Sequence, residues 1–187
     1  MITVGHYVQE AIDFINSGSH ERAFVPTAMA IEATAKKAYE KTSLSDADFD
    51  RFFTENWQLI AFMGMPRALP LPMNIPYGLK RLVPSFDIHC GAKEIVSLAV
   101  TLTLRSGRMP AEFAFNSAGK FELKGGNLLL PSGSVCGLLG SVIFHTSNKD
   151  ESIGDHYWIN ISDFKMFVSE LFGRRDLADR ILRFYRE

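Results

Sequence analysis

The stretch HERAFVPTAMAIEATAKKAYEK, His20–Lys41, decides how the chain is read. Its spacing predicts a helix, yet Pro26 stands near the middle. Proline lacks an N–H donor and presses on the preceding turn, so Pro26 is expected to kink the helix or mark its effective start. Beyond it, Ala28, Ala30, Ala33, Ala35 and Ala38 leave little side chain on any face. Small residues let a second helix come close, so the stretch reads as a packing seam rather than a reactive site. Working back, Val4, Tyr7, Val8, Ala11, Ile12 and Ile15 recur at three- and four-residue steps, the stripe of an amphipathic helix. The NSGS turn, Asn16–Ser19, offers Ser19 as an N-cap and folds the next helix back antiparallel.

Working forward, Ser45 and Asp48 stand at capping-box spacing with Asp in the place of the usual Glu. Phe49, Phe52, Phe53, Trp57, Ile60 and Met63 make a third helix, stopped at Gly64. Four prolines in Met65–Pro76 force extended backbone. A fourth helix is expected over Ala92–Arg105 with Gly107 as its stop, although VTLTL would also suit a strand. Alternating aromatic runs around NSAG predict an antiparallel hairpin or small sheet over Glu112–Leu130. Ser132 opens a fifth helix striped by Val135, Leu138, Leu139, Val142 and Ile143, in which Gly137 and Gly140 suggest close helix contact. Tyr157–Ile161 reads as a strand. Ser162 and Asp163 open a sixth helix with Phe164, Phe167, Val168, Leu171 and Phe172 inward, closed by Gly173, and a short helix ends the chain. The expected fold is α+β and mainly α: an antiparallel helical bundle with a small inserted antiparallel β-hairpin or sheet. One domain is expected, with a helical body over 1–107, the β insertion over about 111–131, and C-terminal helices with one short strand over 132–187.

Composition narrows the function. With 187 residues, 47% apolar and 22% charged, the chain can bury a sizeable core. A net charge of −1 argues against extensive DNA binding, which draws on clustered Lys and Arg. Cys90 and Cys136 are too far apart for a CxxC site. The N-terminus lacks a basic region followed by a long apolar run, and the longest apolar stretch, Ile95–Leu104, is half a membrane span. A cytoplasmic protein without cofactor or membrane association is the expectation.

Three constellations could carry chemistry. His145, Asp155 and His156, with Asp150, surround one polar loop and are candidate metal ligands, since imidazole and carboxylate groups suit zinc. They would make a metal-dependent hydrolase. Asp87, His89 and Cys90 are sequence neighbours, which a helix or strand turns away from one another. Arg174, Arg175, Arg180 and Arg183, among Phe184, Tyr185 and Arg186, could form a binding face for nucleic acid. Asp176, Asp179 and Glu187 offset that charge, and salt bridges on the helix surface account for the pattern equally well. No phosphate loop, dinucleotide fingerprint or GxSxG elbow appears.

The segment SGSHERAFVPTAMAIEATAKKAYEK resembles the second helix of HEPN-type bundles, where a turn leads into an alanine-rich helix reading A-x-A-x-E-A; Glu32 and Ala33 fill the expected places. The likeness covers about the first forty residues. It implies a helical bundle that acts as a dimer, in many members an RNase toxin with an Arg-x(4–6)-His motif. There Arg stabilises phosphate charge and His moves a proton. The nearest pair here, Arg81 and His89, has seven residues between its members, with Pro84 among them. The resemblance then implies a non-catalytic interaction or regulatory protein, of the kind tied to prokaryotic defence or toxin–antitoxin systems. It would form a homodimer through the alanine-rich helix and bind a protein or RNA partner. The alternative is a divergent ribonuclease using Arg81 and His89.

Overall fold

The computed structural model of the protein describes residues 2–65, 91–161 and 164–184. The prolines of Met65–Pro76 beyond Met65, Arg81, His89 and Cys90, as well as Tyr185 and Arg186, lie outside the described residues.

Helix α1, Val4–Asn16, starts where the Thr3 hydroxyl accepts from the His6 N–H. Its stripe is as expected: Val4, Val8, Ala11 and Ile12 are buried. Gly5 sits so close to Ser152 that a Cβ would strike its carbonyl oxygen. This close approach lets Glu151 accept from the Gly5 N–H at 3.0 Å while its other oxygen takes Lys37 Nζ at 3.1 Å. Gly18, at φ +75°, turns the chain, and the Ser19 N–H closes on the Phe14 carbonyl at 2.9 Å. Ser19 itself makes no side-chain cap.

Helix α2, His20–Tyr39, runs through Pro26, so the proline does not mark its start. The helix begins six residues earlier because packing outweighs one missing backbone bond: Phe24, Ala28, Ala30, Ile31 and Ala35 are fully buried. Two buried threonines, Thr27 and Thr34, bond back to the carbonyls of Ala23 and Ala30 at 2.7 Å. Against α2 lie α1, a later helix over Gly133–Ile143, a strand beginning at Phe113 and a 3-10 turn over Thr146–Asn148. Ala28, Ala30 and Ala35 are therefore covered by this chain's own elements, whereas Ala33 and Ala38 are half-buried.

Helix α3, Asp46–Gly64, carries the expected capping box. The Ser45 hydroxyl accepts from the Asp48 N–H, and Asp48 Oδ2 accepts from the Ser45 N–H at 2.9 Å. Lys41 Nζ, 2.5 Å from Oδ1, together with Ser45 holds the Asp48 carboxyl down to about 2. Phe49, Phe52, Phe53, Leu59 and Ile60 face inward. VTLTL is helical: α4 spans Ala92–Ser106, and Gly107 at φ +69° ends it.

The β insertion is present, but its pairing differs from the expected antiparallel hairpin. Strands β1, Phe113–Asn116, β2, Glu122–Lys124, and β3, Asn127–Pro131, lie in the order β1-β3-β2. β2 and β3 are antiparallel, whereas β1 pairs β3 in parallel. The tight turn is Gly125–Gly126, with φ +60° and +84°, which suits a two-residue hairpin. At NSAG, Asn116 instead accepts from the Ala118 N–H and donates to the Lys120 carbonyl, and the chain crosses to the far side of β3.

Helix α5, Gly133–Ile143, crosses α3 where Gly64, Gly133 and Gly137 meet backbone to backbone. Ser132 makes no side-chain cap; Ser134 bonds the Pro131 carbonyl instead.

The expected sixth helix is not formed. Strand β4, Trp158–Ile161, pairs antiparallel with β5, Phe164–Phe167, and a 3-10 turn over Val168–Glu170 follows. A free edge on β4 satisfies the backbone of the FKMF run as well as a helix would, and alternating residues fit that edge. Val168, Leu171 and Phe172 are buried as expected, but Phe167 is exposed. Gly173, at φ +74°, then turns into α6, Arg175–Phe184. The architecture is α+β and mainly α, and no helix among the described residues is long and apolar enough to cross a membrane.

Candidate binding sites

Residues drawn from separate constellations in the sequence meet at one junction. His145, at the end of α5, and Arg175, opening α6, line a shallow cleft of about 210 Å³ with Glu55, Asn56 and Thr146. Arg175 is a staple. Its Nη1 donates to Asn56 Oδ1 at 2.7 Å, its Nη2 to the Glu55 carbonyl at 3.3 Å and its Nε to Asp179 at 3.2 Å. Asn56, itself buried, donates back to the Phe52 carbonyl at 2.9 Å. Glu55 bridges Arg51 at 2.7 Å and the Tyr39 hydroxyl at 3.0 Å. Burial pushes the Glu55 carboxyl up, but those two donors prevail and hold it below the usual range. Burial and the Glu55 charge raise the Tyr39 hydroxyl.

The imidazole of His145 stacks on Phe52 with ring centroids 5.8 Å apart. Its Nδ1 accepts from the Ser147 N–H at 3.3 Å and lies 2.8 Å from the Ser147 hydroxyl, so it caps the 3-10 turn. With Nδ1 accepting, the neutral ring carries its proton on Nε2 and offers a donor rather than a base. Burial, with Arg175 adding to it and Glu55 opposing, lowers the His145 pKa. The unfolded chain therefore binds more protons just below pH 6.5, and the native state gains stability as pH rises through that window. Urea midpoints at pH 5.5 and 7.5 are expected to show this slope, and His145→Asn, which keeps a capping oxygen, to flatten it.

The other candidates are dispersed. His156 is exposed and lies tilted against Tyr157 with ring centroids 4.4 Å apart, Asp150 and Asp155 are exposed, and among the described residues no three His, Cys, Asp or Glu side chains gather to hold a metal. One nitrogen of His145 is committed to Ser147, and His156 faces solvent. Arg174 forms a two-point bond to Asp176 at 3.0 and 3.1 Å, and Arg180 and Arg183 are exposed.

Residues 104–187 match the model of a family described as Rv1289. No curated protein and no solved structure matches the chain. The matched stretch carries His145, Thr146 and Arg175, whereas Glu55 and Asn56 lie before it.

A second surface has no counterpart among the sequence expectations. Trp158 and Phe167 are direct partners across β4 and β5, and 40% and 47% of each is exposed. Lys165 Nζ stands 3.9 Å from the Trp158 ring centroid. The first strand was legible in Tyr157–Ile161, but the Ser162–Asp163 pair reads as a helix start and hides its partner, FKMF.

Proposed function

We propose that the protein is a non-catalytic interaction protein acting in the cytoplasm, which forms a homodimer through the β4–β5 hairpin. The observation that carries this reading is the exposed Trp158–Phe167 pair. Two large aromatic rings left side by side in solvent mark a contact surface, and a two-fold axis lets the same patch serve both copies. The polar junction favours a binding protein over an enzyme, because His145 and Arg175 are spent on holding α3, α5 and α6 together. The HEPN-type likeness of the first two helices supplies the context, regulation in defence or toxin–antitoxin systems, with a protein or RNA partner. The double variant Trp158→Ser/Phe167→Ser is expected to sediment as a monomer at concentrations where the natural protein is a dimer, with its melting temperature nearly unchanged. A natural protein that stays monomeric up to 100 μM (about the concentration at which weak dimers form) removes the reading.

A further inference from the structure

Holding the α3–α5–α6 junction together uses only part of what its side chains can donate. Arg175 has five N–H groups, of which three are placed, on Asp179, Asn56 and the Glu55 carbonyl. One N–H therefore remains on each terminal nitrogen. His145 gives its Nδ1 to Ser147 and a ring face to Phe52, which leaves the Nε2–H as the polar group it brings to the cleft. The Thr146 hydroxyl is exposed and bonds no described residue. All three side chains line the same cleft of about 210 Å³.

The acceptors beside these donors are already taken. Glu55 Oε1 accepts from Arg51 and Oε2 from Tyr39, and Asn56 Oδ1 accepts from Arg175. The charges of Glu55 and Asp179 are matched by those of Arg51 and Arg175. What the cleft has left to offer is protons, so its complement is a group that only accepts. Oxyanions are such groups, and their bonds from arginine are about twice as strong as neutral ones. Three donors on three separate side chains suit a tetrahedral anion, with its additional oxygens, better than a planar carboxylate. A water takes about 30 Å³ of liquid, so there is space for that anion and a small substituent. We propose that this cleft binds a phosphate group, held by Arg175, the Nε2–H of His145 and the Thr146 hydroxyl. No described residue of the β4–β5 hairpin lines it, so the site goes beyond the dimer reading and does not depend on it.

Inorganic phosphate, glycerol phosphate and acetate, titrated separately into the full chain by calorimetry at pH 7 and low salt, test the site. One phosphate per chain is expected to bind with a Kd below about 1 mM, and acetate about tenfold more weakly. Binding of inorganic phosphate alone identifies a free anion and tighter binding of glycerol phosphate a phosphomonoester; either upholds the site. Thr146→Val keeps the shape of an exposed side chain and removes its hydroxyl. It is expected to weaken phosphate about tenfold, the factor of a hydrogen bond to a charged group, with the melting temperature unchanged. His145→Asn, which retains the cap but not the imidazole, is expected to weaken it as well. Arg180→Gln changes an exposed arginine outside the cleft and is expected to leave binding intact. So is the double variant Trp158→Ser/Phe167→Ser, which separates this site from the dimer. No saturable binding of either phosphate compound overturns the proposal, and so does acetate bound as tightly. Binding unmoved by Thr146→Val, or lost in Arg180→Gln, puts the anion elsewhere and overturns it too.

Discussion

Gly137→Val is expected to prevent folding, and Gly137→Ala to cost about 3 kcal/mol, the upper end for overpacking a tight contact. A Cβ at this position would fall inside the contact radius of the Ile60 carbonyl oxygen and 3.0 Å from both the Cα and the N of Gly64. All three atoms are backbone of α3, so no side-chain rotation makes room. The two helices would have to part, and the layer of Phe52, Ile60, Leu138 and Val142 would loosen with them. Gly140→Ala is the control. Its Cβ meets only the far end of Met63, a flexible side chain that can swing aside. Alanine also gains about 1 kcal/mol of helix propensity over glycine, so Gly140→Ala is expected to be close to neutral. Urea unfolding of the two alanine variants reads the difference directly. Equal stability of Gly137→Ala and the natural protein would show that α3 and α5 do not meet as described.

Asn148→Leu is expected to lose roughly 3 kcal/mol, the upper range for stranding a buried polar group. Asn148 is fully buried and donates twice, to Thr34 Oγ1 at 2.9 Å and to the Val142 carbonyl at 2.8 Å. It thereby ties the 3-10 turn to α2 and to the end of α5. Its own oxygen takes no bond among the described residues, so the amide acts through its two donors. Asn148→Asp is the sharper variant because it is nearly isosteric. An ionised carboxylate there would face the Val142 carbonyl and the Thr34 hydroxyl, whose proton is given to Ala30, while a protonated one could still donate to one of them. The folded state would hold that proton well above the ordinary Asp value of about 3.9, so stability would fall as pH rises through the window above it. That slope runs opposite to the one expected from His145, which both proteins share, so Asn148→Asp and the natural protein are unfolded side by side at pH 4.5 and 7 and the difference between them is read. A stability difference between the two proteins that is the same at pH 7 as at 4.5 would mean that position 148 is hydrated.

Most of the helical body was legible before any coordinates. Ser45 and Gly107 act within a few residues of themselves, and stripes such as Val4, Val8, Ala11 and Ile12 carry their period in the chain. The Glu-to-Asp capping box worked because the shorter acid still reaches the Ser45 N–H. The β region was less legible. NSAG and Gly125–Gly126 both look like turns, and only the second has positive φ at two consecutive residues that close a hairpin. Phe164–Phe172 reads as a helical stripe, and pairing with the edge of β4 overrode it. Of the candidate sites, the residue types were visible, but their grouping was not. His145 and Arg175 are thirty positions apart and meet through Asn56 and Glu55, which no local pattern connects to either.

By itself the sequence determined the first three helices and the one over Gly133–Ile143, and that His20–Lys41 packs through small side chains. Those are choices made by neighbours a turn apart, where hydrogen bonds and apolar spacing act over short stretches of chain. Only the tertiary structure decided that Ala28, Ala30 and Ala35 are covered from within, that β1 runs parallel to β3, and that Trp158 and Phe167 stay exposed. Each of these depends on which distant surface arrives first at a shared edge or face, and that competition is settled by burial across the whole fold.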